Sequence, residues 1–191
     1  MRLFIAIDID PEMKKCLEVL GKKLIEETGI SSGKAAKWVS PQAMHITLKF
    51  LGEVESEDVM EVCNVVERVA ERKAAFELEL DSVGSFGGKC PRVLWVGGGR
   101  GSELVNDLHH ELEEEMYSAG WDKDSRKFSC HLTLCRIKSR SAGFRLGQAV
   151  EKYKDFKSGV VSVDSMVVYQ SELTKAGPIY TPLGKFELKG I

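Results

Sequence analysis

His45-Ile46-Thr47-Leu48 and His131-Leu132-Thr133-Leu134 are the stretches on which the fold turns. They lie 86 residues apart, inside two apolar runs of strand length, 44–51 (MHITLKFL) and 129–137 (SCHLTLCRI). Successive side chains of a strand alternate between its faces. His and Thr, two apart, therefore share one face, while Ile46 and Leu48, like Leu132 and Leu134, take the other. Each strand buries an aliphatic face and presents an imidazole beside a hydroxyl.

The surroundings repeat as well. Residues 2–9 (RLFIAIDI) form an apolar strand. Asp10 caps a helix with Pro11 first in it, and Met13, Leu17, Leu20 and Leu24 give that helix an apolar stripe ending near Gly29. A Gly/Ser/Lys loop over 29–37 leads to the first motif strand. Ser56 then caps a second helix with the stripe Val59, Val62, Cys63, Val66 and Val69. Strands follow over 75–84 and 91–97. Ser102 starts a third helix, with Leu104, Val105, Leu108 and Leu112 inward and Gly120 as its stop. After the second motif strand come a short helix over 141–154 and strands near 159–169 and 179–188. Strand, helix, loop, strand, helix from Arg2 to Arg72 recurs from Arg92 to Lys154. The distance from Arg2 to His45 is 43 residues, and from Arg92 to His131 it is 39. The spacing predicts one bilobal domain over 1–191, with two similar lobes related by a pseudo-twofold axis, each supplying one motif strand.

The chain has 191 residues, 43% hydrophobic and 29% charged, which is ordinary globular stock with enough length to bury a core. Its 27 basic and 29 acidic residues leave a net charge of −2 and exclude a bulk electrostatic nucleic-acid binder. Nucleic acid, if handled, is met at a local site. No apolar run approaches the roughly 18 to 20 residues that span a bilayer, so no membrane partner is expected, and Met1–Asp10 reads as a strand rather than a signal peptide. The five cysteines, 16, 63, 90, 130 and 135, are odd in number and lack a C-x-x-C pair. They read as reduced thiols of a cytoplasmic protein, not as a disulfide scaffold or zinc ribbon.

If the lobes face each other, two imidazoles and two hydroxyls meet in one cleft. Histidine titrates near 6.5, so one imidazole can take a proton from water while the other gives one to a departing alkoxide. Threonine hydroxyls can donate to phosphoryl oxygens as charge builds there. The set suits hydrolysis of a strained cyclic phosphodiester with neither metal nor cofactor.

The paired H-x-T-x motifs resemble the 2H phosphoesterase superfamily. The flanking Arg2-Leu3-Phe4-Ile5-Ala6-Ile7, Lys49-Phe50-Leu51-Gly52, Pro91-Arg92-Val93-Leu94-Trp95-Val96-Gly97, Cys135-Arg136, Tyr169-Gln170-Ser171-Glu172-Leu173 and Gly177-Pro178-Ile179-Tyr180 resemble its prokaryotic RNA 2′,3′-cyclic phosphodiesterases, also described as 2′-5′ RNA ligases. The likeness covers essentially the whole chain. It implies an α+β bilobal fold with antiparallel sheets lining a central cleft and helices outside. It implies hydrolysis of RNA ends bearing a 2′,3′-cyclic phosphate to 2′-phosphates, with His45 as proton donor and His131 as proton acceptor. Residue chemistry alone leaves open which histidine is acid and which is base.

Thr47 and Thr133 are the expected phosphate donors. Lys49, at i+4 from His45, shares its face by parity and is a candidate phosphate ligand. Arg136, at i+5 from His131, falls on the opposite face by strict alternation. The resemblance favours an arginine near the phosphate here, which requires a bulge or a strand end. Trp38 and Trp95 are candidates to stack on a base, or core residues. Arg126, Lys127, Arg136, Lys138 and Arg140 form a basic flank that either steers an RNA end or is a solvated rim. His109 and His110 are adjacent on a helix and point about 100° apart, so they cannot chelate one ion together and read as structural or surface groups. Gly97-Gly98-Gly99-Arg100-Gly101 lacks the spacing of a phosphate loop and reads as a turn. The helices carry no heptads, so a monomer is the default. The competing function is a non-catalytic nucleotide-binding module using the same cleft; ligation through a 2′-5′ bond is the formal reverse of hydrolysis.

Overall fold

The computed structural model describes residues 1–174 and 177–190. Among these residues the strands are β1 (Arg2–Asp8), β2 (Ala36–Trp38), β3 (His45–Glu53), β4 (Phe76–Phe86), β5 (Val93–Gly98), β6 (His131–Ile137), β7 (Lys157–Val163), β8 (Ser165–Leu173) and β9 (Pro178–Glu187). The helices are α1 (Pro11–Thr28), α2 (Val59–Glu71), α3 (Ser102–Ser118) and α4 (Arg140–Val150).

All strands belong to one antiparallel sheet in the order β7-β4-β5-β6-β3-β1-β8-β9, with β2 pairing β6 beyond the end of the β3 contact. The order is a palindrome: β6 answers β3, β5 answers β1, β4 answers β8 and β7 answers β9. The junction is the pair Ile46↔Leu132, the same position of the two motifs. A local twofold axis between directly opposed residues of an antiparallel pair relates the two lobes, as the 86-residue echo predicts. Helix α2 covers β8 and β9, α1 and α4 cover the β7-β4-β5-β6 half, and α3 packs on α2 and reaches both β3 and β4. The aliphatic residues of both motifs, Ile46, Leu48, Leu132 and Leu134, lie beneath them in one core. This is the α+β, two-lobed architecture expected. No helix among the described residues is long and apolar enough to cross a membrane.

Local chemistry accounts for the element ends. Asp10 accepts from the Met13 amide at 2.8 Å and Pro11 follows at the first helical position; such a cap stabilises by about 1 kcal/mol. Gly29, at φ 65°, closes α1 in the left-handed region that glycine enters without cost.

Three boundary expectations are corrected. Residues 55–58 form a turn closed from the Asp58 amide to the Glu55 carbonyl, so α2 begins at Val59 rather than being capped by Ser56. Leu104 is exposed, because the face of α3 that packs inward is Val105, Leu108, Leu112 and Met116. The apolar run 159–169 is two strands broken at Asp164. One pairs with β4 at one edge of the sheet and the other with β1 and β9 near the opposite edge. A one-residue link between them requires the sheet to curl until its two ends adjoin, and that curl is what makes a cleft.

Candidate active site

His45 opens β3 and His131 opens β6, and each motif threonine shares the face of its histidine. Beyond each threonine the strand departs from simple alternation. Along β1–β3 the register passes from Ala6↔Thr47 to Ile5↔Lys49, leaving Leu48 as an extra residue. Along β5–β6 it passes from Trp95↔Thr133 to Leu94↔Cys135, leaving Leu134 extra. Both motifs thus end in a β-bulge at their fourth residue, and a bulge reverses the parity of everything after it. The consequences are opposite for the two candidate cations.

Arg136 is turned to the cleft. It lines a cavity of about 520 Å³ together with Thr47, His131 and Thr133. It is close enough to add to the lowering that burial imposes on the pKa of His45 and His131, and to oppose the rise that burial imposes on Tyr180. Lys49 is turned away from the cleft and is only 2% exposed. Its ammonium lies 2.5 Å from Glu113 and donates to the Asp122 carbonyl at 2.9 Å. The parity reading of Lys49 as a phosphate ligand therefore fails at the bulge. At the position equivalent to Arg136 the first lobe presents Phe50, which is 55% exposed and lines the same cavity.

The two imidazoles occupy unlike settings. His45 stands in an aromatic enclosure, with ring centroids 4.9 Å from Phe4, 5.3 Å from Tyr180 and 6.3 Å from Tyr169. Burial lowers its pKa to about 4, against an opposing pull from the Asp8 carboxylate and a hydrogen bond to the Ala43 backbone, with Lys14 and Arg136 adding to the depression. Asp8 is itself held by Lys14 at 2.8 Å and by the Tyr169 hydroxyl at 3.4 Å. Burial and that carboxylate push the Tyr169 phenol up to about 12, so it acts as a neutral donor.

His131 meets Phe86 edge-on at 5.0 Å. Its Nδ1 lies 2.7 Å from the Ser129 carbonyl oxygen, which can only accept, so Nδ1 carries the proton and Nε2 keeps a lone pair. Burial lowers its pKa too, aided by Arg136 and opposed by the Ser129 bond. Among the described residues no carboxylate acts on it as Asp8 acts on His45.

The remaining candidates separate. Trp38 is structural: its indole N–H donates to the Ile30 carbonyl at 2.9 Å and its ring packs on Gly21. Trp95 lies flat on Gly84 beneath Phe86. Neither lines the cavity; Phe50, Phe86 and Phe128 do. Of the basic flank, Arg126, Lys127 and Arg136 line it, whereas Lys138 reaches back to the Gly33 carbonyl. His110 is exposed, as read from the sequence. His109 is not incidental: it stacks on Phe128 at 4.0 Å and 15° and lines the cavity. Sequence reasoning missed Asp8, Phe50, Phe86, Phe128 and Tyr180. Asp8 had a usable signal, since it directly opposes His45 in any β1–β3 pairing that begins at the motif. All five cysteines are free thiols.

Comparison with known proteins agrees with the duplication. The model of the LigT like phosphoesterase family matches twice, over residues 14–95 and 100–180. A protein of Archaeoglobus fulgidus named RNA 2′,3′-cyclic phosphodiesterase is 34% identical over 189 residues, 98% of this chain and 100% of that one. The crystal structure of a Thermus thermophilus protein superposes with a TM-score of 0.79 at 28% identity, covering 100% of this chain and 99% of its own. Escherichia coli LigT complexed with 3′-AMP superposes with a TM-score of 0.75 at 25% identity, covering 98% and 97%. A repeat that matches one family model in each half, on a sheet that is itself a palindrome, leaves one assignment: the chain belongs to the LigT-like phosphoesterase family.

Proposed function

We propose that this protein hydrolyses the 2′,3′-cyclic phosphodiester at an RNA end to a 2′-phosphate, by proton transfer between two histidines and without a metal. The observation that carries the reading is the bulge at Leu134, which brings a guanidinium to the same cavity as Thr47, Thr133 and His131. A planar fork of N–H donors matches phosphoryl oxygens in pairs. The names of the curated relatives supply the substrate class.

In the proposed step, His131 Nε2 takes a proton from water as its oxygen bonds to phosphorus. The bond from phosphorus to O3′ breaks, and O3′ takes a proton from His45. The products are a 2′-phosphomonoester and a 3′-hydroxyl, and solvent resets the two imidazoles. Thr47, Thr133 and Arg136 hold the phosphoryl oxygens while charge grows on them. The tautomer fixed by Ser129 supports His131 as base. Asp8 supports His45 as acid, since its carboxylate favours the imidazolium. Burial opposes that charge, and a substrate monoanion held at Arg136 tips the balance back by adding a second negative neighbour. The two lobes act here as one domain, because neither holds both histidines. The same groups serve 2′-5′ ligation by the reverse step. Reduced cysteines fit a cytoplasmic monomer.

The test is incubation of a cyclic-phosphate-ended oligonucleotide in EDTA with analysis of the product. Turnover to a 2′-phosphate is expected, with a loss of about 10²–10⁴-fold for His45→Ala and His131→Ala in folded protein. A 3′-phosphate product overturns the leaving group. Loss of activity in EDTA overturns metal independence. Saturable binding without product marks a nucleotide-binding module instead.

A further inference from the structure

The loop between α3 and β6 contributes Asp124, Arg126, Lys127, Phe128 and Ser129 to the cavity wall. It contains no helix or strand, yet it is tied down from beneath. Glu113, 6% exposed on α3, receives the Lys49 ammonium on one carboxylate oxygen and the Asp124 amide on the other, at 2.9 Å. Lys49 completes the tie through the Asp122 carbonyl. A buried ion pair is not a cheap way to fill space, since two charges must be desolvated to make it. Nor does the fold demand one here. At the equivalent position of the other lobe, also next after a bulge, stands Cys135, fully buried and neutral. The pair therefore has a task that the second lobe lacks, and the loop it holds is the structure that differs.

What the loop presents is chemically specific. Arg126 and Lys127 are exposed cations on the cavity wall. Phe128, stacked on His109, forms an aromatic shelf beside them. The terminal phosphate is already served by Arg136 and the two threonines, so these cations are surplus to a mononucleotide. Asp124 lines the same end, and a carboxylate next to two cations suits a ribose hydroxyl next to a phosphodiester. We infer that the loop is a second subsite that takes the internucleotide phosphodiester preceding the reacting end. The buried Lys49–Glu113 pair acts as its positioning element. This inference rests on the RNA-end reading above but is tested separately from it.

The probes are a mononucleotide bearing a 2′-phosphate and a tetranucleotide ending in the same group, titrated against the full chain at low and high salt. The tetranucleotide is expected to bind about tenfold more tightly at low salt, with the advantage shrinking as salt rises. The Arg126→Gln/Lys127→Gln variant is expected to bring the ratio close to one. Replacing the buried charges together, Lys49→Met with Glu113→Leu, avoids stranding one of them. That variant should melt cooperatively and still lose most of the length preference, which a purely structural pair would not affect. Equal binding of the two probes by the wild-type protein overturns the subsite, whatever the enzyme does to cyclic ends. A preference that survives the Lys49/Glu113 replacement overturns the positioning role. A length preference without turnover refutes the catalytic reading and leaves the subsite standing.

Discussion

Replacing His45 by glutamine should make the protein less sensitive to acid, and by a calculable amount. The imidazole titrates at about 4 in the folded chain against its ordinary 6.5, because Phe4, Tyr169 and Tyr180 exclude water from it. The unfolded chain therefore takes up the proton first. The stabilisation is fully present above pH 6.5 and is lost as pH falls toward the folded value. A gap of about 2.5 in pKa, at about 1.36 kcal/mol for each unit, is worth about 3 kcal/mol in total. By pH 4.5 about 2.5 kcal/mol of it should be gone. Urea unfolding at pH 7 and at pH 4.5, for wild type and His45→Gln, isolates the quantity, because every other titration is common to both proteins and cancels in the difference. The wild type should lose about 2.5 kcal/mol more than the variant. An NMR titration of the His45 ring should show the same low midpoint, rising when a 2′-nucleotide is added. Equal acid losses, or a midpoint near 6.5 without ligand, would refute the claim that the aromatic enclosure keeps this histidine neutral.

Two further outcomes test other joints of the molecule. Arg136→Lys keeps the charge but loses the fork, and kcat/KM should fall about tenfold, chiefly through phosphate orientation; unchanged kinetics would count against paired contacts to the phosphate. Gly84→Ala places a Cβ 2.3 Å from the Trp95 ring and should cost about 1–3 kcal/mol in thermal unfolding, with an unaltered melt showing that the indole can move aside.

The fold was legible because its signals are local and repeated. A period-2 strand with His and Thr on one face, met twice at matching distances from a leading strand, implies two lobes and a shared cleft. The cap at Asp10 and the stripe of α1 needed nothing from elsewhere in the chain. The misreadings share a physical cause, which is that they depended on partners remote in sequence. Strict alternation puts Lys49 on the cleft face and Arg136 on the opposite one, and both placements fail at a bulge that appears only when the neighbouring strand is one residue short. For Arg136 the family resemblance requires either a bulge or a strand end, and the structure has the bulge. For Lys49 nothing in the local sequence announced Glu113, 64 residues away. His109 looked incidental because the residue that gives it a role, Phe128, lies beyond the end of its helix. Trp38 and Trp95 are stacking candidates because they lie near the motif strands, whereas the cleft uses Phe50 after a bulge, Phe86 at the end of β4 and Phe128 from the loop before β6.

A pocket assembled on a twofold axis has an ambiguity that a one-lobed pocket does not. Were its halves identical, an unsymmetrical ligand would find two equivalent ways to sit, turned end for end, and each histidine would meet either oxygen equally often. The shared bulge sends one residue from each lobe into that pocket, and these two residues are not alike: Phe50 from one side and Arg136 from the other. A charged phosphate can prefer only one of them. Two positions thus give the site a direction, and in the proposed reaction a single answer to which bond breaks.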